Sequence, residues 1–509
     1  MTATPAQLFC AAAVTAFAVA AGPLRAQPAE HEDNRWPVSV RYAEAPGATP
    51  SWAGAGPFLF RQPAREPAGG TARGVRPFWV QVDNAHGELR AGYVLYPLLS
   101  YRTDGVSFHW TFFELIRRWG RHADAPPAAS NFEQNEEFEV FPFWFSRTTA
   151  DAERNYRALF PIAGTVKNKL TFERLSWVLF PLYVENEKRG ATTRYFPWPF
   201  LRVTEGTAQG WGVWPLYTQV ERPGVSRLQT WLWPLGYHSV RQPTPDDPAG
   251  TPPRHDVGML PFYARSTGPG LISEDYLWPF FGYTKRTRPV PYRETRYLWP
   301  LFVQGRGDDG KLINRWAPFY THSRSQGVEK HWYAWPLLRH ATWTDRNIDR
   351  ERTQFLYFLY WHEAQRLGRR ADAPTAHLTH LWPLVSAWND GAGRRQWQFP
   401  SPLEVFFPGN EKVRLAWSPF FSLVRHDQRA PGDRRTALLW NAVTWEKRAT
   451  EERSEFHLGP LLGITRQGPA KQVSIGRGLL GWRRAADGGW RMFAFDFPAK
   501  REPPSPAAR

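Results

Sequence analysis

A short apolar phrase built around proline recurs along this chain about every 20 residues, and that recurrence limits the fold more than any other feature. It reads GPFLF at Pro57, RPFWV at Pro77, YPLLS at Pro97, FPFWF at Pro142, FPIAG at Pro161, FPLYV at Pro181 and WPFLR at Pro199. In its fullest form Trp precedes the proline: Trp214–Pro215, Trp233–Pro234, Trp278–Pro279, Trp299–Pro300, Trp335–Pro336 and Trp382–Pro383. Variants stand at Pro261, Pro318, Pro402, Pro419 and Pro460, and degenerate copies lie around Phe358, Asn441 and Gly476–Trp482. A fixed period of this length marks an array of equivalent supersecondary units, each burying its apolar side only against its neighbours.

Each unit reads as strand–turn–strand. Arg222-Pro223-Gly224-Val225 is turn chemistry, in which Pro presets φ and Gly supplies φ > 0. The flanks are rich in Trp, Tyr, Val and Leu, which favour strands. One stretch, His109–Trp119, carries a helical period. The pattern therefore predicts an all-β antiparallel meander of roughly 20 strands, with Trp-Pro-Leu at the centre of each strand. Around the proline both strand faces are apolar over about seven residues, or about 23 Å. That length approaches the apolar height of an outer-membrane barrel, about 25 Å. A closed β-barrel is the fold expected first. The alternatives are a soluble extended or coiled β-sheet, a propeller or a solenoid. The prolines oppose a lipid-embedded strand, because each removes a ladder donor and leaves a carbonyl to be matched.

The ends are different in kind. Residues 1–26 read as a signal peptide, with an apolar run from Leu8 to Gly22 but no Lys or Arg before it. Residues 27–51 read as a flexible linker, 52–497 as one β-repeat domain and 498–509 as a Pro-rich tail. The stretches 123–130 and 241–256 read as long exposed loops. The single cysteine, Cys10, falls in the leader, so a mature chain holds neither a disulfide nor a thiolate metal site. No segment has 18 uninterrupted apolar residues, which excludes a helical membrane protein.

The formal charge is +17. The basic residues are mostly scattered Arg with Asp and Glu between them, as in Thr284–Tyr297, which argues against nucleic acid and for a solvated surface or an anionic partner. Chemistry-bearing motifs are weak. Gly305–Gly310 and Gly476–Gly481 match GxGxxG, but the first reads as a hairpin turn and the second as a repeat strand, and neither opens a helix. His377 and His380 are three apart at the start of a strand, so they point to opposite faces. His362–Arg366 lacks the second His of a zinc protease motif, and spacing suggests no metal site. Glu133, Glu136, Glu137 and Glu139 form an acidic cluster that reads as a solvated loop; Glu136 or Glu139 would serve a carbohydrate-active enzyme.

The sequence thus points to a non-enzymatic exported envelope protein without cofactor. Its expected form is an outer-membrane β-barrel passing or contacting anionic solutes. The alternatives are a soluble periplasmic or secreted β-repeat protein that binds polysaccharide or protein partners, and a carbohydrate-active enzyme. Outer-membrane lipid and envelope polysaccharide are the expected partners.

Overall fold

The computed structural model describes residues 32–43, 49–122, 125, 135–248, 250–368, 372–484 and 488–497. The leader, the tail and most of the 123–130 loop lie outside the described residues. Among the described residues the fold is all-β: 45 short strands of four to eight residues run as an antiparallel meander, in which neighbours in sequence pair within each compact unit. No described helix is long and apolar enough to cross a membrane, which says nothing about strands.

The expected meander is present, with twice the expected strand number. The reason is the position of the proline. In Ser226–Trp231 and Gly236–Arg241 the two strands flank Leu232-Trp233-Pro234-Leu235, so the repeat motif is the turn and not the strand centre. The Leu235 amide donates to the Leu232 carbonyl at 2.9 Å across it. The same closure recurs at Leu277–Phe280, Leu298–Leu301 and Ala334–Leu337, at 2.8 to 2.9 Å. The motif prolines from Pro77 to Pro383 all follow cis peptide bonds at the third turn position, as turns of type VI require. Proline fits there because a turn position needs no ladder donor.

The carbonyls of the motif prolines accept from the next motif along. The Trp233 amide donates to the Pro215 carbonyl at 2.7 Å, the Trp335 amide to Pro318 at 2.6 Å and the Phe180 amide to Pro161 at 2.7 Å. Successive turns are therefore stitched together. The second turn of each unit is polar and often glycine-bearing, as at Pro223–Val225 and Gln326–Gly327. In an antiparallel meander, alternate turns lie at alternate ends of the strands. The proline turns of the larger unit consequently share one margin of its sheet and its polar turns share the other.

His109–Trp119 is not a helix but a hairpin, with strands Ser107–Phe112 and Ile116–Arg121 joined through Phe113 and Glu114, both at positive φ. The 27–51 stretch contains strands Glu32–Arg35 and Ser39–Tyr42 rather than only linker. Pro419 stands in a helical turn, Ser418–Phe421, just after a helix at Glu411–Ala416. Gly476–Leu479 is a turn, not a strand. Of the expected 241–256 loop, residues 242–248 and 250–253 lie outside strands, whereas Arg241 ends the strand Gly236–Arg241 and 254–256 open the strand Arg254–Met259.

The chain divides into two compact units. The larger, 57–425, contains the strands from Leu59–Pro63 to Arg395–Phe399 and both helices. Asn410 caps the first helix through its side chain, accepting from Lys412 and Val413. Leu415 and Ala416 of that helix pack into a core with Phe60, Ala72, Val80, Val82, Ala91 and Tyr93. Arg76 donates to the Leu415 carbonyl at 2.7 Å and the Trp417 indole to the Tyr96 carbonyl at 2.7 Å. The first hairpins of this unit and its last segment are thereby joined.

The smaller unit combines the N-terminal strands with 426–509. Glu32 is its buried anchor. One carboxylate oxygen accepts from Thr444 at 2.6 Å and from Asn34 at 3.0 Å, and the other from Arg435 at 3.1 Å. The Arg435 guanidinium also lies 3.8 Å over the Tyr42 ring.

Candidate functional site

Two features of the larger unit are candidates: its apolar margin and a polar row with a histidine cluster.

The margin is built by the motif residues themselves. Trp233 and Trp335 are 53% and 55% exposed. Trp278, Trp299, Leu232, Leu277, Leu298 and Phe280 are exposed as well. Trp214 and Trp382 are half-buried; Trp382 donates to the Pro402 carbonyl at 3.0 Å. Adjacent motif aromatics touch: Trp214 and Trp233 ring centres are 5.7 Å apart, Phe180 and Trp198 5.4 Å, Phe358 and Trp382 5.4 Å. All twelve motif residues named from sequence, from Trp214–Pro215 to Trp382–Pro383, therefore lie on this one margin.

The first strand residue inward continues the band on one face. Tyr297 pairs with Phe302, Phe302 with Trp316, Trp316 with Tyr320 and Tyr320 with Tyr333. Tyr263 pairs with Tyr276, and Tyr276 with Phe281. Two residues further in, the same face turns polar. Gln304, Asn314, His322, His331, His340 and Thr353 are successive cross-strand partners, each on a neighbouring strand. Over this stretch the apolar band thus covers the turns and one strand row, a depth of roughly 10 Å at about 3.3 Å per residue, whereas around Val203, Trp211, Val257 and Tyr283 it reaches one row further. Where it covers one row it is less than half the expected transmembrane height.

The polar row contains a convergence that spacing alone does not reveal. His322, Glu329 and His331 offer three ligand atoms that all lie within 4.8 Å of one another. His322 Nε2 is 2.7 Å from Glu329 Oε1, and His331 Nε2 is 3.4 Å from the same oxygen. The two imidazoles stack at 4.2 Å and 16°. Hydrogen bonds from His322 and Arg324 hold the Glu329 carboxyl below the usual carboxylate range. Glu329 also borders a polar cleft of about 860 Å³ whose walls include Arg324, Thr342, Asp349, Glu351 and His377.

The other sequence candidates have structural partners. His377 stacks on His362 at 5.4 Å. His380 faces the opposite way, as its spacing implies, and is 2% exposed. Its Nδ1 meets Ser386 Oγ at 2.6 Å, within a buried chain that continues to Ser401 and Gln398. Burial and the nearby Arg414 push His380 down to about 4. The acidic cluster is a strand, Glu136–Val140, and not a loop. Glu137 pairs with Arg147 at 2.6 Å and Glu139 with Lys169. Glu136 and Glu139 are three apart on that strand, so they face opposite sides of the sheet. Glu133 lies outside the described residues.

Compared with known proteins, the chain matches no family model and no curated protein.

Proposed function

We propose that this is a non-enzymatic envelope protein that docks its proline-turn margin into the headgroup–acyl boundary of a lipid leaflet. The observation that carries the reading is the exposure of Trp, Leu and Phe at consecutive turns along one margin, with polar turns along the other. Indole and phenol rings partition to this boundary because they join an apolar body to a polar tip. Interfacial elements bury their apolar side by about 5–10 Å, which suits a band of roughly 10 Å better than it suits a full span. A compact protein surface would be met by a local patch. A repeating, chemically uniform line of exposed aromatics suits a continuous, fluid partner.

Charge favours an anionic leaflet. The net charge is +17, and such a field raises the local concentration at a negative surface. Arg315 stands at the margin itself, with its guanidinium donating to the Pro300 carbonyl at 3.2 Å. The leader predicted at 1–26 would deliver the chain to an envelope membrane. Transport of anionic solutes is no part of this reading.

Vesicle flotation tests it. The intact protein is expected to float with vesicles containing anionic lipid and to do so less in high salt. Replacing Trp233, Trp278, Trp299 and Trp335 together by Gln should reduce binding at least about tenfold, since each indole loses part of its transfer free energy. Unchanged flotation of the fourfold variant would refute the proposal.

A further inference from the structure

We infer that His322, His331 and Glu329 form a binding site for a borderline divalent cation of the zinc type. The three residues sit on one hairpin, Tyr320–Ser325 and Val328–Tyr333, closed by Gln326–Gly327. Both turn residues take positive φ, 50° and 75°, as a tight two-residue hairpin turn needs. That turn sets the register in which His322 pairs with His331 and Arg324 with Glu329. Glu329 and His331 are two apart on one strand, so they share a face, and His322 lies directly across from His331. A local hairpin therefore brings two imidazoles and one carboxylate to one point without help from distant chain.

The donor chemistry fits such an ion. Two imidazole nitrogens and one carboxylate oxygen, with the fourth position open, make a known zinc set. Ligand atoms about 2.0–2.2 Å from a tetrahedral ion stand about 3.3 Å from each other. Glu329 Oε1 is already 2.7 Å and 3.4 Å from the two Nε2 atoms.

A further contact arranges the ring for ligation. His331 Nδ1 lies 3.2 Å from the Tyr320 hydroxyl oxygen. With Nδ1–H donating to that oxygen, the Nε2 lone pair is left toward Glu329, which is how a metal-binding imidazole is usually held.

Arg324 is the competitor. Its guanidinium contacts both Glu329 oxygens at 2.9 Å, with its own side chain half exposed. Since Glu329 borders the polar cleft, the open coordination position would be reached from that side.

The test is a zinc titration of the folded full-length chain, stripped with chelator, against a chromophoric competitor. One zinc ion per chain should bind at this hairpin and be lost in His322→Ala/His331→Ala. Tyr320→Phe, which keeps all three ligands, should weaken binding by about 10- to 100-fold. Arg324→Ala should tighten it. His238→Ala/His255→Ala removes another stacked histidine pair, 6.2 Å apart, and should change nothing. The inference is overturned by no zinc uptake, by uptake that survives His322→Ala/His331→Ala, or by uptake indifferent to Tyr320→Phe.

Discussion

Acidification should loosen the strands around His380, and the size of the effect follows from its surroundings. His380 is almost fully buried, its Nε2 has no hydrogen-bond partner among the described residues, and Arg414 lies near. The imidazole is therefore neutral in the folded chain down to about 4, whereas an exposed histidine titrates near 6.5. The sign is that of a depressed group. Below about pH 6.5 the unfolded chain takes up a proton that the folded chain refuses, so stability present above that pH is lost as pH falls toward 4. A separation of about 2.5 pH units corresponds to a loss of about 3 kcal/mol by pH 4 and about 2 kcal/mol at pH 5.

Hydrogen exchange is the suitable assay, because a long antiparallel array need not unfold as one unit. Amides of Ala376–Leu381 and Val385–Asn389 should lose about 20-fold in protection between pH 7 and pH 5, after correction for intrinsic rates. His380→Gln removes the titrating group. It should be less protected than the wild type at pH 7, by the cost of a disturbed buried hydrogen bond, and the gap should narrow by about 2 kcal/mol at pH 5. An equal loss of protection in both proteins would refute the assignment.

Two stability predictions test the packing. Glu32→Gln should leave buried Arg435 without its hydrogen-bonded carboxylate and destabilise the smaller unit by about 3 kcal/mol; exchange protection of Asp433–Leu438 and Val443–Arg448 reads this out, and unchanged protection would contradict it. A Cβ added at Gly164 would lie 2.3 Å from the Ala158 backbone, so Gly164→Ala should cost about 1–3 kcal/mol by overpacking. Faster exchange confined to Tyr156–Leu159, Ala163–Lys169 and their neighbours is expected, and a neutral result would show that the pair can separate without cost.

The recurrence of the proline motif carries the fold class directly. A period of about 20 residues with strand-forming flanks and turn chemistry permits little but a repeated β-unit. What the period hides is that it covers two strands and two unlike turns. Turns are usually recognised by polarity, and Leu232-Trp233-Pro234-Leu235 is as apolar as a buried strand. Its proline was the informative residue, since a position without N–H belongs where no ladder bond is required. The same array overrode local preference at His109–Trp119, where a helical period is folded into a hairpin through Phe113 and Glu114.

The candidate sites were legible to different degrees. The Trp-Pro residues are conspicuous as a motif, but their shared exposure depends on the alternation of turns between two margins. His322, Glu329 and His331 match no metal spacing because their geometry comes from hairpin register, with two residues two apart on one strand and the third across the turn. The opposite orientations of His377 and His380 were legible, since they follow from strand periodicity alone.

Spin labels on the two margins test the central claim most directly. In a background free of Cys10, a label at Leu235→Cys would stand on the proline-turn margin and a label at Val225→Cys on the polar margin, at the two ends of strand Ser226–Trp231. On anionic vesicles the account predicts that the Leu235 label becomes accessible to oxygen and shielded from a water-soluble nickel complex, while the Val225 label remains open to the complex. Equal accessibility at both positions, with or without vesicles, would contradict docking through the proline margin.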